Sequence, residues 1–246
     1  LNSMKAFKVF VILTGLILTP LVFNSCLSDD DDYSLGKFWI SIATVEPLDN
    51  NTYSLILDDG TKLWPAATNY PGYDPKNDQR ALVNYTILSD SIQGYDHFIK
   101  VNSIQNILTK PIATLTAEND SVYGNDPVKI IDMWVGGGYL NVQFGFNYGG
   151  SKAHFINLVQ DTTQTSTPKV LEFRHNAYND QPVAGKEGLV AFNLSKLVEA
   201  GKDSVNFKVK VKTFDGEKTY DMSYNWKSKE VEASKKISVN SFGNIR

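Results

Sequence analysis

The sequence predicts an all-β protein, an OB-like small barrel followed by an Ig-like β-sandwich, behind a lipoprotein signal peptide. Three observations predict it. Period-two runs of β-branched and aromatic residues recur from Phe38 onward at the close spacing of sandwiches and barrels. Asp-Gly pairs at Asp59-Gly60 and Asp215-Gly216 join successive runs, and glycine accepts the positive φ of a tight turn. An apolar leader ends at Cys26, the one cysteine of the chain.

The leader comes first. Lys5 and Lys8 form a positive n-region, residues 9–22 an apolar h-region, and Ser25 is the small residue before Cys26. That is a secretory signal with a lipidation site, excluded from fold reasoning. A spanning helix is the competing reading, since residues 9–28 carry no charge and about 20 residues cross a bilayer. Pro20 inside the run, and Asn24 and Ser25 at its end, count against it. The expected division is 1–25 signal peptide, 26–35 lipidated tether, 36–114 barrel, 115–236 sandwich and 237–246 tail.

Asp29, Asp30, Asp31 and Asp32 follow the anchor directly. Like charges repel and keep such a tether extended. The run also resembles the acidic export signal of surface lipoproteins in Bacteroidota, a receptor-read address. The expected location is the outer membrane, lipid-anchored and facing the cell exterior.

In the first lobe, residues 38–45, 52–57, 61–64, 80–88 and 97–103 read as strands, with a short helix or a bent strand at 104–110. Five short strands suit an OB-type barrel. In the second, 128–134 and 139–146 form a hairpin with a tip at Gly136, Gly137 and Gly138. Strands follow at 153–159, 169–175, 205–213 and 218–226, with one or two helical turns expected in 190–200. Two antiparallel sheets face to face would bury the apolar sides. The tail from Ser234 is expected to fray.

Composition excludes several functions. The net charge is −3, and without Lys5 and Lys8 the balance is 22 basic against 27 acidic residues. With no basic cluster, nucleic acid is not an expected partner. Repulsion from an anionic membrane leaves the attachment to the lipid. With Cys26 lipidated, the body holds no thiol, so disulfides, thiolate zinc sites and cysteine nucleophiles are excluded. No cofactor and no metal are expected.

Candidate sites are few. Residues 145–152 approach a phosphate-binding loop, but Ser151-Lys152 inverts its final pair and a strand follows instead of a helix. His97, His154 and His175 lie in separate strands without metal-ligand spacing, so they read as polar structural residues. The acidic clusters at 74–78 and 118–120 match no calcium loop. Residues 64–75 form a Pro/Gly-rich loop carrying Trp64, Tyr70 and Tyr73. These are either a stacking platform for a ligand or a plug in which Trp64 and Tyr70 close the barrel. Asp90-Ser91, Asp120-Ser121, Asp161-Thr162 and Asp203-Ser204 resemble short O-glycosylation acceptors.

Residues 26–44, 53–64, 79–85 and 125–134 resemble the NigD-like lipoproteins of Bacteroidota. The resemblance implies an N-terminal OB domain and a C-terminal β-sandwich across residues 26–226. The family is named for a bacteriocin-associated gene cluster, which fixes no function. No catalytic residue carries over, and Cys26 is the one position whose role transfers. The expected function is a non-enzymatic surface lipoprotein binding a glycan, peptide or envelope partner. The alternative is a bacteriocin-immunity or envelope-protection protein. An enzyme ranks behind both, since no acid/base or metal constellation is visible.

Overall fold

The computed structural model describes residues 36–92, 94–163, 166–227 and 245–246. Cys26 and Asp29, Asp30, Asp31 and Asp32 lie outside them, as do the signal and tether expectations.

The first lobe is a closed barrel of β1 (Trp39–Pro47), β2 (Tyr53–Leu57), β3 (Lys62–Thr68), β4 (Gln79–Ser89) and β5 (His97–Asn106), in the order β1-β2-β3-β5-β4. β3 and β5 run parallel; the other pairs are antiparallel. Alternation puts Ala43, Val45, Leu55, Leu63, Val83, Ile99 and Val101 inside. The Asp59-Gly60 turn forms as read, with Gly60 at φ +86 and Gly60 N–H donating to Leu57 O at 2.9 Å.

The chain leaves the barrel earlier than the expected boundary after residue 114. The stretch 104–110 is strand, not helix: β5 runs to Asn106, and β6 (Leu108–Pro111) already pairs with the sandwich strand β12. β7 (Ala113–Leu115) and a single helical turn α1 (Asp120–Tyr123) follow.

One sandwich sheet is β6-β12-β9-β8, built with β8 (Lys129–Gly136), β9 (Tyr139–Tyr148) and β12 (Ala184–Asn193). The other is β14-β13-β11-β10-β7, built with β10 (Phe155–Asp161), β11 (Lys169–Asn176), β13 (Ser204–Thr213) and β14 (Gly216–Asn225). Leu140, Val142, Phe144 and Phe146 of β9 meet Ile156, Leu158, Leu171, Phe173, Phe207 and Val209 between the sheets.

One expectation is narrowed and one is corrected here. Residues 190–193 complete strand β12, and only Ser195–Leu197 makes a 3₁₀ turn. Val190 and Phe192 face the sandwich core, whereas Leu189 and Ala191 face the barrel. Burial on both faces removes the period-two signal and imitates a helix. Ile245 and Arg246 do not fray: Ile245 bridges His154, and Arg246 N–H donates to His154 O at 2.8 Å.

The lobes share a small apolar cluster, with Ile42, Leu82 and Ile107 from the barrel side and Trp134, Tyr139, Leu189 and Ala191 from the sandwich. Beside it lies a buried ion pair. Arg80, fully buried, donates through Nη2 to Asp58 Oδ1 at 2.5 Å and through Nη1 to Thr44 Oγ1 at 3.0 Å. Its guanidinium lies 4.9 Å from the centre of the Tyr139 ring. The glycine tip of the β8–β9 hairpin fits against this pair. A Cβ on Gly136 would collide with the Asp58 carboxylate, and one on Gly137 would stand 2.7 Å from Asp58 Oδ1.

Candidate functional site

The loop aromatics separate in the structure. Trp64 lies within β3, so the loop starts only after Thr68. Leu63 points into the barrel at 0% exposure, so Trp64 points outward. Tyr70 stands exposed at 52%, past the end of β3. Tyr73 turns inward at 8% exposure and packs 5.1 Å from the Tyr53 ring. Its hydroxyl donates to Asn106 Oδ1 at 2.6 Å, and burial, then Tyr53 and Asp74, push its pKa up to about 12. Tyr73 therefore closes the barrel, in place of the expected Trp64 and Tyr70, and the three do not share a platform.

Trp64 has other company. β5 runs parallel to β3 with Phe98 opposite Trp64, and Ile99 inside leaves Phe98 outside. The β4–β5 loop adds Tyr95, held by reciprocal backbone bonds with Ile92 at 3.1 and 3.2 Å. Lys62 N–H donates to Asp96 Oδ2 at 2.7 Å, and Asp96 N–H donates to Lys62 O at 2.8 Å, tying that loop to β3. The Trp64 ring centre lies 5.1 Å from Tyr95 and 6.5 Å from Phe98, and the latter two are 6.4 Å apart. All three residues are half-buried. They form a tilted aromatic cluster on the outer wall, along a middle strand and the β4–β5 loop, where OB barrels take oligosaccharides and oligonucleotides. Sequence reasoning found Trp64 and missed Tyr95 and Phe98. The Phe98–Ile99 alternation held the signal, but the pairing of β3 with a non-consecutive strand did not show.

The near-phosphate loop holds an anion of its own. Gly149 N–H and Gly150 N–H donate to Asp180 Oδ2 at 2.7 and 3.2 Å, and the Ser151 hydroxyl and N–H donate to Oδ1. Strand β10 follows the loop. The amide nest that could cradle a phosphate is filled by a side chain of the same protein.

Asp180 also joins two histidines that the sequence keeps apart. His154 Nε2 lies 3.2 Å from Asp180 Oδ2, and His154 Nδ1 lies 2.9 Å from His175 Nε2. With Asp180 ionised, His154 Nε2 donates, and His154 Nδ1 accepts from His175. Burial first, then His154, lowers the His175 pKa to about 4. The Ser151 hydroxyl is the largest cause holding the Asp180 carboxyl below the ordinary carboxylate range, aided by Gly149 N–H and His154. Side-chain exposure is 0% at His154 and 1% at Asp180. The network clamps the loop after β9, the loop before β12, and residues 245–246. His97 stands elsewhere, on β5 in the barrel. Among the described residues no three His, Cys, Asp or Glu side chains group as metal ligands. Ser91, Ser121, Thr162 and Ser204 all lie exposed.

A model of the NigD-like N-terminal OB domain matches residues 42–107, and one of the NigD-like C-terminal β-sandwich domain matches residues 111–224. The chain belongs to the NigD-like family. Both lobes of the fold are thus those of the family. A crystal structure from Parabacteroides distasonis, provisionally called toxin related, shares 53% identity over 77% of this chain and 94% of that one, at TM-score 0.71. A Bacteroides vulgatus protein of unknown function shares 30% identity over 81% and 96%, at TM-score 0.70. A NigD-like immunity protein from Bacteroides caccae, at 21% identity over 79% and 100% and TM-score 0.59, shares the fold. No curated protein matches.

Proposed function

We propose that this NigD-like chain is a non-catalytic binding module, held at the outer membrane by a lipid on Cys26 and facing the cell exterior. Its barrel binds a ring-bearing envelope ligand, a glycan, on Trp64, Tyr95 and Phe98. The observation that carries the reading is this half-exposed aromatic cluster on the ligand-taking wall of an OB barrel. Aromatic faces stack on rings without needing a particular sequence of polar contacts. The leader, Cys26 and the following aspartates support the anchored location.

Two measurements test it. On a glycan array, Trp64→Ala and Tyr95→Ala each weaken binding about tenfold or more, the loss of one stacked ring, and Tyr70→Ala leaves it unchanged. Equal binding by all three variants sinks the site. For the anchor, Cys26→Ser stops incorporation of labelled palmitate and releases the protein from membranes; undiminished label would refute it.

A second reading is protection against a bacteriocin. It is favoured by the name of the P. distasonis relative, toxin related. Sensitivity to a bacteriocin on gene deletion, with no glycan bound, would favour it over the first.

A further inference from the structure

Six lysines among the described residues are half-buried: Lys100, Lys110, Lys169, Lys186, Lys208 and Lys210. Five have company. Lys169, Lys208 and Lys210 meet Glu199, Asp221 and Glu217. Lys110 Nζ donates to Ile156 O at 2.9 Å, and Lys186 is also partnered. Lys100 alone has neither a hydrogen-bond acceptor nor a carboxylate among the described residues. An ammonium carries three donors, and one partly withdrawn from water gains from an anion placed against it.

Lys100 lies beside the aromatic cluster of the barrel. Ile99 and Val101 point inside at 0% exposure, so Lys100 points outward with Phe98, about 7 Å along β5. Opposite it stand Ala67 of β3 and Thr86 of β4, neither of them charged. The Asn102 amide is held nearby, donating to Thr86 Oγ1 at 3.0 Å and to Asn84 Oδ1 at 3.1 Å. Both its hydrogens are used, and its carbonyl oxygen is left as an acceptor. The other end of the cluster differs. There the exposed Lys62 precedes Leu63, and two carboxylates are at hand. Asp59 Oδ1 accepts from Thr61 N–H at 2.8 Å, and Asp96 Oδ2 accepts from Lys62 N–H at 2.7 Å. The wall is thus cationic at its Lys100 end and mixed in charge at its Lys62 end.

We propose that the glycan taken by the barrel is acidic, and that Lys100 holds the carboxylate or sulfate of a sugar ring stacked on Phe98 and Trp64. This rests on the barrel reading above and names the class of sugar. The anion supplies the acceptor that Lys100 lacks, and Asn102 Oδ1 accepts from a ring hydroxyl. A neutral sugar would leave the ammonium unmatched. A nucleic-acid strand is a poorer fit, because it carries a charge at every unit, and Asp59 and Asp96 repel phosphate at the Lys62 end.

The test places the full chain on an array of uronate and sulfated oligosaccharides, each printed beside its methyl-esterified or desulfated form. In at least one pair the acidic member binds about tenfold tighter or more, and the gap narrows in high salt. The responding pairs tell a carboxylate from a sulfate. Lys100→Gln closes the gap by weakening the acidic member alone, and keeps the parent's Tm because no partner is left unpaired. Lys100→Arg keeps the gap, and Trp64→Ala weakens both members. Lys62→Gln removes the same charge and leaves the gap open. The proposal is overturned if the two members of every pair bind alike, if Lys100→Gln keeps the gap, or if Lys62→Gln closes it as well. It is equally overturned if oligothymidylate binds as tightly as the best acidic glycan and loses as much in Lys100→Gln. Neutral members still bound through Trp64 would leave the barrel site standing; no member bound at all would overturn both readings.

Discussion

Asp58, in the β2–β3 turn against the tip of the β8–β9 hairpin, and Asp180, in the loop before β12, are both shielded from water, with side chains 13% and 1% exposed. Their acidities move in opposite directions. The Asp58 pKa is raised, because desolvation outweighs the attraction of Arg80. The Asp180 pKa is lowered, because the Ser151 hydroxyl leads a set of donors that outweighs its desolvation. The difference lies in the donors. Asp58 faces one guanidinium, whereas Asp180 collects a hydroxyl, three backbone N–H groups and an imidazole. The balance between desolvation and hydrogen bonds to the charged form decides which way a carboxyl moves. The lobe joint is therefore an electrostatic lock with little margin, and the far end of the sandwich is a satisfied nest.

The largest effect is expected at the joint. Arg80→Met leaves Asp58 withdrawn from water without a counter-charge and should cost about 3–5 kcal/mol in urea unfolding of the full chain. Adding Asp58→Asn should recover most of that loss, since removing both charges of a buried pair is often nearly neutral. If Arg80→Met costs under about 1 kcal/mol, Asp58 is better solvated than its enclosure implies, and the contrast with Asp180 falls.

The nest carries the next effect, through His175. Its pKa falls from 6.5 to about 4 on folding, so between those values the unfolded chain binds more protons than the native one. Stability is then full above pH 6.5 and is lost as pH drops toward 4, on the order of 3 kcal/mol in all. Below the ordinary aspartate range, Asp180 adds a loss of the same sign, because its pKa is also lowered in the fold. Thermal unfolding between pH 7 and 5 should show this slope in the parent and a flatter one in His175→Gln. Equal slopes would remove His175 as the titrating group.

How much of this was legible in the sequence depends on the range of each interaction. The barrel strands and the Asp59-Gly60 turn were readable because alternation and turn chemistry are local. β12 was not, because both its faces are buried, one in the sandwich and one against the barrel. The glycine tip read as a hairpin, but nothing local says that Asp58 occupies the space a Cβ would need. His154 and His175 met only through the pairing of β10 and β11, and Trp64 met Phe98 only through a parallel pairing with β5. The joint, the nest and the barrel cluster are all products of non-local register, which residue spacing along the chain does not encode.

The smallest expected effect sets the two glycine regions side by side. Gly137 combines φ +59 with a Cβ position 2.7 Å from Asp58 Oδ1. Gly137→Ala must therefore strain the backbone or push the carboxylate off Arg80, costing about 1–3 kcal/mol for the backbone alone. Gly185→Ala faces neither demand and should gain up to about 0.5–1 kcal/mol, since alanine loses less backbone freedom on folding. Denaturant midpoints of the two variants, read against the parent, should thus move in opposite directions. A loss at Gly185 would give that glycine a folding role.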